Sequence, residues 1–265
     1  MKQKLIDDMD TNRIHIGIDI GSTCTKAVVM DKGGIAYKLI MPTGWSSVDT
    51  AQSVKQNIEA NMGMMENASI TATGYGRISV PYAGKTVTEI TCHAKGACYL
   101  YNAADLSVID IGGQDTKIIT IERGAVTDFM MNDKCSAGTG RFLEVMANTL
   151  ALRPDELCSL AQRGGGVSIS SMCTVFAESE VISLIGRGET KENIAFGVVD
   201  SIVKKVASQC SRVRLMERVA LTGGLCECEY IIKALSKELG KKVEADAYGR
   251  YAGAIGAAIC GMGAR

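Results

Sequence analysis

The chain has 265 residues, enough for one large domain or for two lobes that each bury a core of their own. Its 29 acidic and 29 basic residues balance, so no overall field attracts nucleic acid or an anionic membrane surface. No stretch of about 18 apolar residues occurs, and the polar segment 1–13 has no apolar core of the signal-peptide kind, so neither membrane spanning nor secretion is expected. Ten cysteines in such a chain indicate a reducing, cytoplasmic compartment.

The first half of the chain begins with a β-meander that follows the N-terminal tail, residues 1–13. Alternating apolar residues and glycine turns define its strands, and a helical spacing of apolar residues comes next. The expected elements are strands over 14–21, 22–31 and 35–41, a helix over 48–62 and a strand over 69–75. Strands mixed with helices predict an α/β fold with a mixed sheet covered by helices.

The same meander recurs about 91 residues later. Alignment of 18–26 with 109–117 gives Ile, Asp, Ile, Gly, Thr and Lys in common, which is six of nine positions. A repeat at this interval indicates two related lobes, although chance identity of two β-turns is the alternative. We expect lobe I over 14–104, completed by about 248–265, and lobe II over 105–247.

The rest of lobe II is predicted to be mainly helical. The expected elements are helices over 138–150, 174–185 and 194–214, a strand over 219–223, a helix over 230–240 and a C-terminal helix from Ala252. No low-complexity segment or long linker separates them, so the lobes should be packed together.

Both hairpins have the features of a phosphate-binding turn. A tight turn after a strand directs backbone N–H groups and hydroxyls toward phosphate oxygens, and a lysine adds charge. Glycines in the second turn let the backbone approach phosphate closely. The candidate binding residues are Gly21, Ser22, Thr23, Cys24, Thr25 and Lys26 in the first hairpin, and Gly112 and Gly113 in the second. Two such hairpins predict an ATP cleft between two lobes.

Four polar residues of the hairpins are candidates for the chemistry. Asp19 and Asp110 end the two equivalent strands and could hold the water ligands of Mg²⁺, a hard ion that contacts few carboxylates directly. Gln114, with Asp115 beside it, could orient the water that attacks the terminal phosphate. The alternative is that the aspartates only cap turns, as Asp commonly does.

Three motifs, GIDIGSTCTK, VIDIGGQDTK and LTGG, resemble the phosphate-1, phosphate-2 and adenosine motifs of the actin, Hsp70 and sugar-kinase ATPase superfamily. The segments TGYGR (73–77), TEITCHAKGA (88–97), MNDKCSAGTGRFLEVMA (131–147) and CTVFAESEVISLIGRG (173–188) resemble the activators of 2-hydroxyacyl-CoA dehydratases and the ATPase subunits of benzoyl-CoA reductases. This resemblance extends from Ile14 to Ala258 and implies two ribonuclease H-like lobes. It also implies nucleotide contacts by Gly138, Thr139, Gly223, Gly224 and Arg250, the last standing where a glutamine is common.

Cys135 and Cys173 each precede a predicted amphipathic helix, whose positive N-terminus would stabilise a thiolate. A [4Fe–4S] cluster needs four thiolates, so two from one chain supply half. In the family resembled, one cluster bridges two identical subunits through a cysteine from each motif, and the resemblance gives that role to Cys135 and Cys173. The remaining cysteines are expected to be packing residues, with a second metal site at Cys226 and Cys228 as the alternative.

The resemblance therefore implies an ATP-hydrolysing reductase that works in an anaerobic cytoplasm. A homodimer would accept an electron from ferredoxin or flavodoxin and pass it to an iron–sulfur enzyme. That acceptor could be a 2-hydroxyacyl-CoA dehydratase, a benzoyl-CoA reductase component or a double-cubane-cluster protein. A small-molecule kinase and a regulatory nucleotide-binding module are the alternatives, but both leave the two cysteine motifs without a role.

Overall fold

A computed structural model describes residues 14–32, 34–63, 65, 67–171 and 173–262. The predicted tail, residues 1–13, lies outside the described residues. Contacts divide the chain into two compact units. The first contains the described residues up to Leu106, the segment Ile121–Thr127 and the described residues from Tyr248 onward, and the second contains Ser107–Thr120 and Asp128–Ala247.

The described residues form ten strands and eight α-helices. Those up to residue 132 are β1 (His15–Ile20), β2 (Cys24–Asp31), β3 (Gly34–Pro42), α1 (Ser47–Met62), β4 (Ser69–Thr73), β5 (Lys85–Thr86), α2 (Glu89–Leu100), β6 (Leu106–Ile111), β7 (Thr116–Glu122) and β8 (Ala125–Asn132). Those that follow are α3 (Gly140–Thr149), α4 (Pro154–Ala161), α5 (Thr174–Gly186), α6 (Lys191–Cys210), β9 (Val219–Gly223), α7 (Glu229–Leu239), β10 (Val243–Ala245) and α8 (Ala252–Met262).

The first unit is built on a sheet with the strand order β3-β2-β1-β4-β5. β1 is antiparallel to β2 and parallel to β4. Successive residues of β2 face opposite sides of the sheet: Ala27 and Val29 belong to the core cluster that includes Ala51, Val54 and Ile58 of α1, whereas Val28 and Met30 belong to the cluster with α8. Helices therefore cover both faces.

Helices α2 and α8 of the first unit approach each other through glycine. A Cβ on Gly96 would lie 1.9 Å from the Ala252 carbonyl oxygen, and one on Gly256 would lie 1.7 Å from the Cys92 carbonyl oxygen. Neither position has space for a side chain, so the small residues of this region set the distance between the two helices.

The second unit is built on a sheet with the strand order β10-β9-β6-β7-β8. β9 is parallel to both β6 and β10. Its core joins apolar residues of β6, β7 and β9 to helices α3 to α7, with Phe142, Ile202 and Leu221 among the buried side chains. The sheet carries the second phosphate-type hairpin between β6 and β7.

The predicted mixed α/β class is confirmed, and most of the expected strands and helices occur. Helix α6 starts at Lys191 and ends at Cys210, earlier at both ends than predicted. Sequence reasoning missed α2, because seven of its twelve residues are buried and no polar side alternates with an apolar one. It also missed the short elements α4, β5 and β10, which are too brief to carry a periodic pattern.

Candidate functional site

The first hairpin, Gly21–Thr23 between β1 and β2, is anchored by the chain that follows β3. The Thr43 hydroxyl donates to the Gly21 carbonyl oxygen at 2.7 Å, and the Thr43 backbone N–H donates to the Thr23 carbonyl oxygen at 2.9 Å. Ser22 and Thr23 are exposed, whereas Thr25 is buried and hydrogen-bonded to the Thr43 hydroxyl. Hydrogen bonds from Thr43 therefore hold the turn in place, while the hydroxyl groups of Ser22 and Thr23 stay accessible.

The second hairpin, Gly112–Asp115 between β6 and β7, is closed by a hydrogen bond from the Gly112 backbone N–H to the Asp115 carbonyl oxygen, 2.9 Å long. A Cβ on Gly112 would lie 2.3 Å from Asp115 Oδ1, so any side chain there would displace the Asp115 carboxylate. Gln114 is exposed at the tip and Gly113 is half-buried. This position leaves the Gln114 amide accessible to a bound phosphate or water.

Asp110 lies buried in β6 with both carboxylate oxygens in contact with polar groups. The Thr222 hydroxyl donates to Oδ1 at 2.8 Å, and Lys117 Nζ lies 3.6 Å from Oδ2. Lys117 also contacts Asp115 Oδ2 at 2.7 Å. These contacts come from neighbouring strands of the sheet, so they join Asp110 to β7 and β9.

Asp19 is the equivalent buried carboxylate of the first unit, with 4% of its surface exposed. In the strand register it lies opposite Lys26 on β2 and Thr73 on β4. A Cβ on Gly74 would lie 2.6 Å from Asp19 Oδ1, and one on Gly253 would lie 2.6 Å from Oδ2. Glycines therefore make the space that this carboxylate occupies.

The predicted adenosine loop packs directly on the end of β6. Gly223 has φ +86°, a conformation that favours glycine, and a Cβ there would lie 2.2 Å from the Ile111 carbonyl oxygen. That oxygen accepts from the Gly224 backbone N–H at 3.0 Å. Gly224 is exposed, so its surface is accessible to a ligand.

Sequence reasoning missed the counterpart of this loop in the first unit. Gly74 has φ +90° and sits over the Ile20 carbonyl oxygen, which accepts from the Gly76 backbone N–H at 2.9 Å. The signal was the dipeptide Thr-Gly, which follows the strand parallel to β1 at 73–74 and the strand parallel to β6 at 222–223. The repeat thus includes these loops as well as the hairpins.

The loops that carry Cys135 and Cys173 meet in the second unit. The Ser136 and Thr174 hydroxyl groups, each belonging to the residue after one of these cysteines, are hydrogen-bonded at 2.5 Å. The Asn132 side-chain amide donates to the Cys135 carbonyl oxygen at 2.8 Å. Cys173 is exposed and caps the N-terminus of α5, and Cys135 is half-buried.

The prediction that Cys135 immediately precedes a helix is wrong, because α3 begins only at Gly140. The first N–H groups of α3 also bind elsewhere: Gly140 donates to the Gly112 carbonyl oxygen at 2.9 Å, and Arg141 to the Gly113 carbonyl oxygen at 2.8 Å. Cys173 therefore stands at a helix N-terminus, as predicted, whereas Cys135 does not.

Three hydrogen bonds connect the second hairpin to the segment that follows Cys135. Two are those of Gly140 and Arg141, and the third runs from the Thr116 hydroxyl to the Gly138 carbonyl oxygen at 2.7 Å. Thr139 is fully buried and its hydroxyl donates to the Ser136 carbonyl oxygen at 2.6 Å. The candidate phosphate turn and the cysteine loop are therefore parts of one hydrogen-bonded network.

A cavity of about 260 Å³ opens beside Gly138 in the second unit. Two lysines and four serines line it, but most of its accessible wall is apolar, which suits a ligand with both polar and apolar parts. The lining residues are Ala137, Gly138, Phe142, Ile169, Ser170, Ser171, Ser201, Lys204, Lys205 and Ser208. Arg250, the other predicted nucleotide contact, is half-buried in a 3₁₀ turn of the first unit, directly before α8.

Cys226 and Cys228 differ in environment. Cys226 is buried in the core of the second unit. Cys228 caps α7, and a hydrogen bond from the Cys158 thiol, together with backbone N–H groups of α7, lowers the pKa of Cys228 to about 7. Within the described ranges, no three histidine, cysteine, aspartate or glutamate side chains gather so that they could hold a metal ion. These environments favour packing over the alternative of a second metal site.

Helix α5 carries apolar side chains on two sides. Ala177 and Val181 are buried against the core, whereas Val175, Phe176 and Ile182 are more than half exposed. Of Val175, Val181, Ile182 and Ile185, only Val181 is buried, so the apolar residues of α5 do not form a single buried side. The exposed apolar side starts next to Cys173.

Among the residues that the structure describes, none of the helices combines the length and apolar character needed to cross a lipid bilayer.

A sequence profile of the BadF/BadG/BcrA/BcrD ATPase family matches residues 16–261. The chain is 42% identical over 248 residues to the (R)-2-hydroxyglutaryl-CoA dehydratase activating ATPase of Acidaminococcus fermentans, a match that covers 92% of this chain and 95% of that protein. It is 40% identical over 248 residues to the activator of lactoyl-CoA dehydratase of Anaerotignum propionicum, again covering 92% and 95%. It is 32% identical over 263 residues to a component of the benzoyl-CoA reductase of Thauera aromatica, covering 94% and 93%.

Solved structures give the same result. The activator of the 2-hydroxyisocaproyl-CoA dehydratase from Clostridium difficile, determined with bound ADPNP, matches with a TM-score of 0.87 at 35% identity over 94% of each chain. A glucokinase from Streptomyces griseus matches with a TM-score of 0.59 at 16% identity, covering 92% of this chain and 98% of that one. The second likeness concerns the fold alone and agrees with the predicted sugar-kinase-like fold.

Proposed function

Because the chain belongs to the BadF/BadG/BcrA/BcrD ATPase family, we propose that it is an ATP-hydrolysing reductase that delivers low-potential electrons to a partner iron–sulfur dehydratase. One observation carries this proposal beyond ATP hydrolysis. The second hairpin is joined by three hydrogen bonds to the segment that continues from Cys135. A movement of this hairpin, caused by a change at the bound phosphates, would therefore also move the cysteine loop.

The hairpins and glycine loops are the proposed nucleotide contacts. Exposed Ser22 and Thr23 in the first hairpin and the backbone N–H of Gly113 in the second bind phosphate oxygens, because the Gly112 N–H already donates to the Asp115 carbonyl oxygen. Gln114, exposed at the hairpin tip, orients the attacking water. Gly224 and the cavity beside Gly138 receive the nucleoside part of ATP.

The buried carboxylates Asp19 and Asp110 are the proposed holders of the water ligands of Mg²⁺. The oxygens of Asp110 already contact the Thr222 hydroxyl and the Lys117 ammonium. A carboxylate with these partners is suited to contact Mg²⁺ through a water ligand rather than directly. When bound, Mg²⁺ would supply charge neutralisation at the β- and γ-phosphates.

The hydrogen bond that joins the two cysteine loops supports the proposal that Cys135 and Cys173 supply half of a [4Fe–4S] site. The Ser136–Thr174 hydrogen bond keeps them together, and Cys173 is exposed. A [4Fe–4S] cluster bound there would supply one-electron transfer. Two thiolates per chain, next to the exposed apolar side of α5, support a homodimer in which Cys135 and Cys173 of both subunits are ligands.

The coupling follows from the hydrogen bonds. When the second hairpin shifts on loss of the γ-phosphate, the carbonyl groups of Gly112 and Gly113 move, and α3 moves with them through the N–H groups of Gly140 and Arg141. The Cys135 loop precedes α3 directly, so its position depends on the nucleotide.

The proposed electron donor is ferredoxin or flavodoxin, and the proposed acceptor is a dehydratase of the 2-hydroxyacyl-CoA class. A benzoyl-CoA reductase component and a double-cubane-cluster protein are the other acceptors. A small-molecule kinase would leave the bonded cysteine loops without a task, so the network favours a reductase.

Anaerobic purification followed by iron, sulfide and nucleotide analysis tests the proposal. We expect one [4Fe–4S] cluster per two chains and Mg-dependent ATP hydrolysis in the intact protein. Cys135→Ala and Cys173→Ala should abolish iron binding, whereas Cys260→Ala, a change of another half-buried cysteine, should retain it. Full iron content in both ligand variants would refute the assignment, and phosphate transfer to a small molecule without iron would favour the kinase.

A further inference from the structure

Lys117 on β7 is among the largest fully buried side chains of the described residues, with 2% of its side chain exposed. A buried ammonium is unfavourable unless charged or polar partners surround it. Here the partners are Asp110 and Asp115, one on each side of the candidate phosphate turn. Lys117 ends the motif VIDIGGQDTK, and its role was not predicted from the sequence.

The geometry shows what this ammonium does to the two carboxylates. Nζ lies 2.7 Å from Asp115 Oδ2 and 3.6 Å from Asp110 Oδ2. The Thr222 hydroxyl holds the other oxygen of Asp110 at 2.8 Å. Asp110 is thus fixed at both oxygens, while the side chain of Asp115 remains 25% exposed beside Gly112.

The charges explain why a lysine is needed at this depth. Two carboxylates and one ammonium leave a single net negative charge beneath the turn. Without the ammonium, two unneutralised carboxylates would repel each other and would also repel an incoming triphosphate. Lys117 removes half of this negative charge without occupying the surface of the turn.

The first hairpin provides an internal comparison. Lys26 aligns with Lys117 in the repeat, but Lys26 is only half-buried, and Cys24 stands where the second hairpin has Asp115. The fully buried lysine therefore occurs in the hairpin that carries the additional carboxylate. Because the fully buried lysine and the additional carboxylate occur in the same hairpin, we infer that Lys117 is there to interact with the acidic residues and not only to pack β7.

We propose that Lys117 is a positioning residue for ATP hydrolysis, whose ammonium fixes Asp110 and Asp115 and neutralises one of their two charges beneath the second phosphate turn. The inference rests on the proposed nucleotide site. Lys117 does not contact the nucleotide, and it acts through the two carboxylates.

Removal of the charge, followed by replacement with a small cation, tests this role in the full-length protein. Lys117→Ala and Lys117→Met should each lower kcat for Mg-dependent ATP hydrolysis about 10- to 100-fold, with a smaller change in KM. Ammonium or methylammonium should restore part of the kcat of Lys117→Ala, because the shortened side chain leaves space between the carboxylates. The same ions should not restore Lys117→Met, which retains most of the side-chain volume.

Lys233→Met is the matched control, since it removes an ammonium that is 71% exposed on α7 and outside the site. It should keep wild-type kcat and show no response to ammonium. Wild-type kcat in both Lys117 variants, or a loss in Lys117→Ala that ammonium does not relieve, would overturn the inference.

Two further measurements keep the test decisive. If the single variants do not fold, Asp115→Asn combined with Lys117→Met keeps the net charge of the group. This double variant should still hydrolyse ATP slowly, and wild-type turnover in it would contradict the inference.

Calorimetric titration of the wild-type chain with ATP distinguishes a failure of the proposed function from a failure of this inference. A wild-type chain that binds no nucleotide refutes the proposed function, whereas normal wild-type turnover with unaffected Lys117 variants refutes this inference alone.

Discussion

Gly223 shows how a single residue fixes the relation between two strands of the second unit. Its positive φ and its closeness to the Ile111 carbonyl oxygen both exclude a side chain. The adjacent Gly224 differs in both respects, because a Cβ there would meet no atom within 4 Å and its φ is not in the left-handed region. One glycine of the pair is thus required by the fold, and the other is available for ligand contact.

We predict that Gly223→Ala lowers the free energy of unfolding by about 1–3 kcal/mol or more, because alanine is strained at this φ and its Cβ collides with the backbone. Gly224→Ala should change the unfolding free energy by less than about 0.5 kcal/mol. Chemical denaturation of both variants measures the difference. Equal stabilities would contradict the packing described for this loop.

Cys228 provides a second prediction at this scale, from its lowered pKa of about 7. The thiolate is the reactive form, so alkylation of Cys228 by iodoacetamide should increase as pH rises through about 7. Cys158→Ala removes the largest cause of the lowered pKa, so the midpoint should move upward, toward the ordinary thiol value. Peptide mass spectrometry over a pH series measures both midpoints, and an unchanged midpoint in the variant would refute the explanation.

Helix α5 has an apolar side that the other described residues of the chain do not cover. Each of its four apolar residues is more than one-third exposed; they are Val175, Phe176, Ile182 and Ile185. Exposed apolar patches of this kind mark interaction sites. The proposed homodimer covers this side and places the two Cys173 residues near each other. The proposed partner is a second copy, because two thiolates per chain would supply half of the ligands of the proposed cluster.

We therefore predict that Phe176→Glu or Ile182→Glu converts the protein to a monomer and lowers its iron content, because a charge on this side would have to be buried. Gln52→Glu, which introduces the same charge at an exposed position of α1 in the first unit, should leave the dimer intact. Sedimentation under anaerobic conditions distinguishes these outcomes. A dimeric Phe176→Glu protein with normal iron content would exclude this side of α5 as the interface.

At the scale of the molecule, the two units repeat one design. When β1 to β5 are matched with β6 to β10, the two sheets have the same strand order, and Asp19 and Asp110 occupy equivalent positions opposite Thr73 and Thr222. The second unit adds the hydrogen bonds from its hairpin to α3. We infer that ATP use is linked to the cysteine loops through the second unit.

Thr116→Val tests this link because it deletes the hydroxyl bond to Gly138. The variant should hydrolyse ATP at a rate close to wild type but should reduce the partner enzyme with more ATP consumed per electron. Thr120→Val is the matched control, since Thr120 lies on the same strand and its hydroxyl donates to the Arg214 carbonyl oxygen at 3.0 Å. Each change should cost about 1 kcal/mol of unfolding free energy. Equal ATP-to-electron ratios in the two variants would contradict the proposed route.

The sequence predicts those parts of the fold and site that depend on local patterns. The repeated Asp-containing strands, the glycine turns and the order of most elements follow from residues close together in the chain. The pairing of Lys117 with Asp110, the Ser136–Thr174 hydrogen bond and the donors that occupy the start of α3 do not, because each joins residues brought together by folding. Helix α2 was missed for a related reason, since burial on most sides removes the periodic pattern.

The hydrogen bonds from α3 to the second hairpin give the peptide groups of Gly112 and Gly113 a mechanical property. A peptide group is planar and resists twisting, so its carbonyl oxygen and the N–H of the next residue must rotate as one body. In this turn the carbonyl oxygens of Gly112 and Gly113 are hydrogen-bonded to α3. The N–H groups of Gly113 and Gln114 lie on the opposite edges of the same two planar peptide groups. A phosphate that displaces those N–H groups would therefore rotate the two peptide groups and shift α3 with them.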